Sequence, residues 1–153
     1  MTAAGCGAAE EGLHGPFSFL EEEAMEVRVY YEDTDVGGVV YHANYLKYFE
    51  RGRTEFLRQR GLAVGELHRA GFIFPVIRME IDFRAPALHD DLLRVETSVR
   101  EVGKATFTVA QKVLRPADGR LLAEAMVILA CIGPTLRPKR LPTELLMTLA
   151  DAR

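Results

Sequence analysis

The chain has 153 residues, 48% of them apolar and 27% charged, enough for one domain with its own core and too apolar for a disordered chain. A net charge of −3 with no run of Lys and Arg argues against a nucleic-acid groove. Cys6 and Cys131 form neither a metal spacing nor a disulfide framework, so a reduced, cytoplasmic setting is expected. The longest apolar run, Ala125 to Ile132, is far short of the ~20 residues of a membrane span, and the opening MTAAGCGAAEEG lacks the marks of a signal peptide.

In chain order, residues 1–24 are rich in Ala, Gly and Glu without periodicity and read as a flexible extension, of which residues 1–22 are expected to be dispensable. Residues 25–153 carry clear patterns. MEVRVYY places Met25, Val27, Val29 and Tyr31 on one face of a strand. In NYLKYFERGRTEFLRQRG, Tyr45, Phe49, Gly52, Phe56 and Leu57 recur at helical spacing, and Gly61 supplies a stop. The helix should be about 17 residues and ~25 Å long. A shorter helix is expected in VGELHRAG. IRMEIDFR alternates, with Ile77, Met79, Ile81 and Phe83 inward; LRVETSVRE and TFTVAQKV place Leu93, Val95, Thr97, Val99, Phe107, Val109 and Val113 inward. LLAEAMVILACI is apolar on both faces except Glu124 and reads as a central strand. PTELLMTLADAR reads as a closing helix with Pro142 in its first turn. The links APALHD, VGK and RPADGR are short, which joins the last four strands antiparallel. The order β-α-β-β-β-β is an α+β arrangement of the hotdog type, a long central helix wrapped by a five-stranded antiparallel sheet.

The chemistry-bearing stretch is EDTDVGGVVYHANY, Glu32 to Tyr45. Its acids and glycines have an ordinary structural use, in Asx turns and positive-φ turns, with Asn44 or His42 capping the helix. The same layout suits catalysis. Glycines let backbone N–H groups approach a ligand, and a helix N-terminus offers unpaired donors for a developing oxyanion. A neighbouring carboxylate then serves as general base or nucleophile. Crowding and partial burial of Asp33 and Asp35 would raise such a carboxylate toward neutrality. No G-x-S-x-G elbow is present, so the chemistry would rest on a carboxylate.

The stretch VRVYYEDTDVGGVVYHANYLKYFERGRTEFLR resembles the signature of the 4-hydroxybenzoyl-CoA thioesterase family, in the branch associated with the Tol–Pal system. The resemblance continues through FPVIRMEIDFRAPALHDDLLRVET and RPKRLPTEL. It implies hydrolysis of small acyl-CoA thioesters, with coenzyme A entering as part of the substrate and no metal or redox cofactor. It implies Asp35 as the catalytic carboxylate, Asp33 as an acid less tied to the chemistry, and His42 as a residue that assists the reaction or positions the thioester. Gly37, often Ala in relatives, is a mild departure. Gly38, Val39 and Tyr41 are expected to border the substrate, and Lys104, in a tight turn, to meet the CoA phosphates. The family also implies a homodimer with a continuous sheet, often paired into a homotetramer, with sites at the subunit boundary. RPKR reads as a solvated basic turn that an acidic acyl-carrier protein or CoA phosphates would suit. His68 and His89 read as surface residues and Cys131 as a small buried hydrophobe. Two rival readings stand beside hydrolysis: a hotdog dehydratase of acyl-carrier substrates, pairing His42 with Asp35, and a non-catalytic protein that binds a carrier protein or envelope machinery.

Overall fold

Segments that alternate apolar and polar residues bury one face and expose the other, and here they do so as strands. The computed structural model describes residues 24–153. It contains β1 (Met25–Arg28), β2 (Val76–Phe83), β3 (Leu92–Val102), β4 (Thr106–Arg115) and β5 (Arg120–Ala130). The helices are α1 (Asn44–Gln59), α2 (Val64–Arg69) and α3 (Thr143–Asp151). All strand pairs are antiparallel, in the order β1-β3-β4-β5-β2. The long connection from β1 carries α1 over the sheet and returns the chain to the far edge as β2. The hotdog architecture expected from the element order is the one that forms. The N-terminal extension, with Cys6 and His14, lies outside the described residues except for Ala24.

Val95, Phe107, Val109, Val127 and Leu129 on the inner sheet face are buried with Tyr45, Tyr48, Phe49 and Phe56 of α1. Burying Phe49 and Phe56 contributes about 1.5–3 kcal/mol each. Register shifts at Val99/Glu101, Val113/Leu114 and Val76/Arg78 mark bulges, which add twist and help the sheet wrap the helix. Contact is tightest at Gly52. A Cβ there would lie 2.7 Å from Val95 Cγ1, 3.1 Å from Gln111 Nε2 and 3.4 Å from Thr97 Oγ1.

Gln111 interrupts the inward stripe of β4 and is 1% exposed. Its Nε2 donates to Phe49 O at 2.9 Å and Thr97 Oγ1 at 2.8 Å, and its Oε1 accepts from Arg53 Nη1 at 3.0 Å. A buried amide with every polar atom paired ties α1 to the sheet at one register.

Several expectations shift. β1 ends at Arg28, and Tyr31 is 84% exposed rather than inward. The cause is local: Tyr30 N–H donates to Asp33 Oδ2 at 2.8 Å, which draws the chain into a single 3-10 turn over Tyr31–Asp33. Ile77 and Phe83 are 59% and 51% exposed, because β2 is an edge strand that α1 covers only in part. Strand β5 has neighbours on both sides but lies next to that edge. Pro142 sits at the N-cap of α3, just before its first turn. Among the described residues no helix is long and apolar enough to cross a membrane.

Candidate active site

The acid loop is a short hairpin set against the start of α1. Asp35 N–H donates to Val39 O at 2.9 Å and Gly38 N–H to Asp35 O at 3.0 Å, while Thr34 bridges Val40. Residues 35–38 form the turn, and Asp35 Oδ1 accepts Gly37 N–H at 2.8 Å, as an Asx turn does. Gly38 closes the turn with φ +78, a conformation side chains other than Asn and Asp seldom adopt. A Cβ on residue 37 would meet Asp35 Oδ1 at 3.0 Å, so glycine there leaves that oxygen unobstructed. The hairpin is moored below by Val40 N–H to Ala87 O and by the pairing of Val39 with Leu88.

Asp33 and Asp35 have separate work. Asp33 is half-buried and is the knot of the loop. Its carboxylate holds Tyr30 N–H, and its carbonyl accepts Tyr41 N–H at 2.9 Å and Asn44 Nδ2 at 2.8 Å. Asp35 is exposed, so the partial burial expected of it is absent in one chain, and among the described residues its carboxylate is spoken for only by Gly37 N–H.

Neither His42 nor Asn44 caps α1. Ala43 occupies the N-cap with no side-chain bond, and Asn44 turns back to Asp33. Among the described residues, the N–H groups of His42 and Ala43 donate to nothing. The exposed Tyr41 and His42 rings pack edge to face at 4.6 Å. Asp35, Gly38, Val39, Tyr41 and His42 thus share one hairpin-to-helix junction. Beneath it Tyr45 Oη accepts Ala87 N–H at 3.3 Å, and the Tyr45 ring packs edge to face against Phe83, centroids 5.3 Å apart. Burial, then the charge of Asp33, pushes the Tyr48 phenol well above its ordinary value.

Lys104 is elsewhere. It sits in the β3–β4 turn, while the acid loop adjoins the segment before β3 through Ala87 and Leu88. Strand β3 has 11 residues, so the two ends stand roughly 30 Å apart at the usual strand rise. Sequence reasoning did not join Lys104 to RPKR. The fold does: Leu141 N–H donates to Lys104 O at 2.9 Å, and Lys104, Lys139 and Arg140 line one open groove with Phe72, Leu141 and Leu146. Lys139 Nζ is anchored there by Gly71 O at 3.2 Å and the Phe72 ring at 3.8 Å. His68 and His89 are exposed and Cys131 is buried. Among the described residues no cluster of three or more His, Cys, Asp or Glu is placed to hold a metal ion.

Residues 29–149 match the family model described as the thioesterase-like superfamily. The chain is 45% identical over 123 residues to the acyl-CoA thioesterase YbgC of Haemophilus influenzae, covering 79% of this chain and 89% of that protein. It is 40% identical over 117 residues to the acyl-CoA thioester hydrolase YbgC of Escherichia coli O6:H1, covering 76% and 87%. The solved structure of a probable thioesterase from Bartonella henselae superposes with a TM-score of 0.74 at 41% identity, covering 78% of this chain and 98% of that one. The family resemblance legible in the acid loop is therefore borne out, and the chain belongs to the thioesterase-like superfamily.

Proposed function

We propose that this protein is an acyl-CoA thioesterase that cleaves small acyl-CoA substrates with Asp35 as its carboxylate. The observation that carries the reading is the junction itself: an exposed carboxylate, fixed by Gly37 N–H, beside a helix start whose His42 and Ala43 N–H groups have no acceptor among the described residues. The names of the YbgC relatives support the same activity. The thioester carbonyl accepts from those N–H groups, which stabilise the oxyanion as it forms. Asp35 acts either by taking a proton from the attacking water or by attacking the carbonyl carbon, with water then releasing the acid. The carbon–sulfur bond breaks, and coenzyme A leaves as the thiol. His42 holds the thioester, and Gly38, Val39 and Tyr41 border its approach. Coenzyme A enters only as part of the substrate, and no metal or redox cofactor takes part. A reduced, cytoplasmic setting goes with Cys131 as a buried free thiol. A panel of acyl-CoAs read by free-thiol release tests the activity: at least one should be turned over saturably, and release from none would contradict the reading.

Lys104, Lys139 and Arg140 suit the CoA phosphates, but one chain holds its groove and its Asp35 at opposite sheet ends. Two chains paired antiparallel through their β2 edges reconcile the two. The Phe83 end of one β2 then lies beside the Val76 end of the other, next to where β5 runs out toward the basic groove. The exposed Val76, Ile77 and Phe83 on that edge favour such pairing. On this reading the protein is a homodimer, or a pair of dimers, and each site draws on two chains. Light scattering should show no stable monomer, and Ile77→Arg should give a monomer with little turnover; an active monomer would contradict the shared site.

Charge in the groove should affect binding more than chemistry. Replacing Lys104 and Arg140 together by Ala should raise KM at least about tenfold, the scale of lost hydrogen bonds to charged groups, with kcat nearly kept. In the wild type, KM should rise with salt. A lowered kcat at unchanged KM would contradict this role. The same basic groove would suit an acidic acyl-carrier protein, and turnover of acyl-carrier thioesters with the same Lys104 and Arg140 dependence would identify that substrate.

A further inference from the structure

Arg53 is a charged side chain set into the helix–sheet layer that the proposed chemistry does not use. It lies nine residues along α1 from Asn44, so roughly 14 Å from the junction, and is half-buried. Nη1 donates to Gln111 Oε1 at 3.0 Å, and among the described residues the guanidinium has no other hydrogen bond and no ion pair. Gln111 Nε2 serves Phe49 O and Thr97 Oγ1, which fixes the amide so that only its Oε1 is turned toward Arg53. Burial pulls the guanidinium below its ordinary value, and the charge of Glu50 works the other way.

Arg53 faces a chamber of about 100 Å³ between α1 and the sheet. Phe56, Leu57, Phe74, Phe107, Leu129 and Leu149 form its walls. Its other polar groups are Thr97, bonded to Gln111, and Glu50 and Thr54, bonded to each other at 2.9 Å. A guanidinium has five N–H donors in a planar fork that matches a carboxylate, and most of these have no acceptor here. A mostly apolar chamber with a few convergent polar groups is the usual form of a small-ligand site, and here Arg53 is the cationic one, while Glu50, Thr54 and Thr97 are already paired. Size narrows the ligand: at ~30 Å³ per water-sized group, the chamber takes a tail of about three heavy atoms. A CoA nucleotide is too large, and a bare inorganic anion would leave the walls uncovered.

We propose that this chamber is a second ligand site, which binds an unbranched monocarboxylate of about four carbons, its carboxylate on Arg53 and its tail among Phe74, Phe107 and Leu149. On the thioesterase reading such an acid belongs to the product class, so the site senses released acid; the binding itself does not depend on that reading.

The test is titration of the full-length protein with butyrate, followed by NMR of the Leu57, Leu129 and Leu149 methyl groups. Saturable shifts are expected in wild type and equally in Asp35→Asn. Arg53→Met should weaken binding at least about tenfold, Leu149→Trp should abolish it by filling the chamber, and neutral butyramide should give no saturable shift. The proposal is overturned by absence of saturation in wild type, by unchanged affinity in both Arg53→Met and Leu149→Trp, or by loss of binding in Asp35→Asn, which would put butyrate at the junction. Failure of every acyl-CoA to release thiol would remove the link to product and leave the butyrate result standing.

Discussion

Asp35→Asn should give a folded protein whose turnover is lower by at least the ~10²–10⁴ of a lost general base, or about 3–5.5 kcal/mol of transition-state stabilisation. The loop survives because Asn is nearly the same size and its Oδ1 still accepts Gly37 N–H, the bond that sets the turn. What Asn loses is the ability to take a proton or attack a thioester at neutral pH. KM should stay close to wild type, since the groove and the His42 and Ala43 N–H groups are untouched. Asp33→Asn should cost much less: its side-chain oxygen can still accept Tyr30 N–H, and its backbone carbonyl still holds Tyr41 and Asn44. His42→Ala should fall between the two, because it removes the ring and keeps the backbone N–H. Equal damage from Asp33→Asn and Asp35→Asn would reverse the division of labour between the two acids.

The largest effect on stability is expected at Gly52. Even a methyl group there meets Val95 Cγ1 at 2.7 Å, and Val95 is fully buried with a stiff, branched side chain. Gly52→Ala gains up to ~1 kcal/mol of helix preference but incurs about 1–3 kcal/mol of overpacking, so it should be mildly destabilising. Gly52→Val adds two methyl groups to the same contact and should cost about 3 kcal/mol or more, lowering Tm by roughly 10 °C for a domain of this size. The displaced helix would also strain the Gln111 bonds to Phe49 and Arg53. A thermal melt of both variants checks this, and a Gly52→Val protein as stable as wild type would mean that α1 does not sit as close to β3 and β4 as described.

What could be read from the sequence was what is local. Helix α1 shows in the spacing of Tyr45, Phe49, Phe56 and Leu57, and β3 to β5 show in their alternation and short links. The junction was legible because Asp35, Gly38 and His42 fall within eight consecutive residues. Interactions that span the chain were not. The end of β1 depends on one bond from Tyr30 to the Asp33 carboxylate, which propensity does not encode. Lys104 and RPKR are more than thirty residues apart and meet only because the chain leaving β5 pairs back onto the β3–β4 turn. Gln111 did leave a signal: a polar residue at an inward position of β4, opposite a mid-helix glycine. Each oddity was visible alone, and the pairing needed the fold.

The proposed place of attack on the thioester carbon is the hairpin-to-helix junction. A crystal structure with a non-hydrolysable acyl-CoA ketone, in which a methylene replaces the sulfur, tests it most directly. The ketone oxygen should lie about 2.7–3.1 Å from His42 N or Ala43 N, with the Asp35 carboxylate either ~3–3.5 Å from the carbonyl carbon or one water away from it. A ketone bound with its carbonyl away from the start of α1, out of reach of Asp35, would place the chemistry elsewhere in the fold.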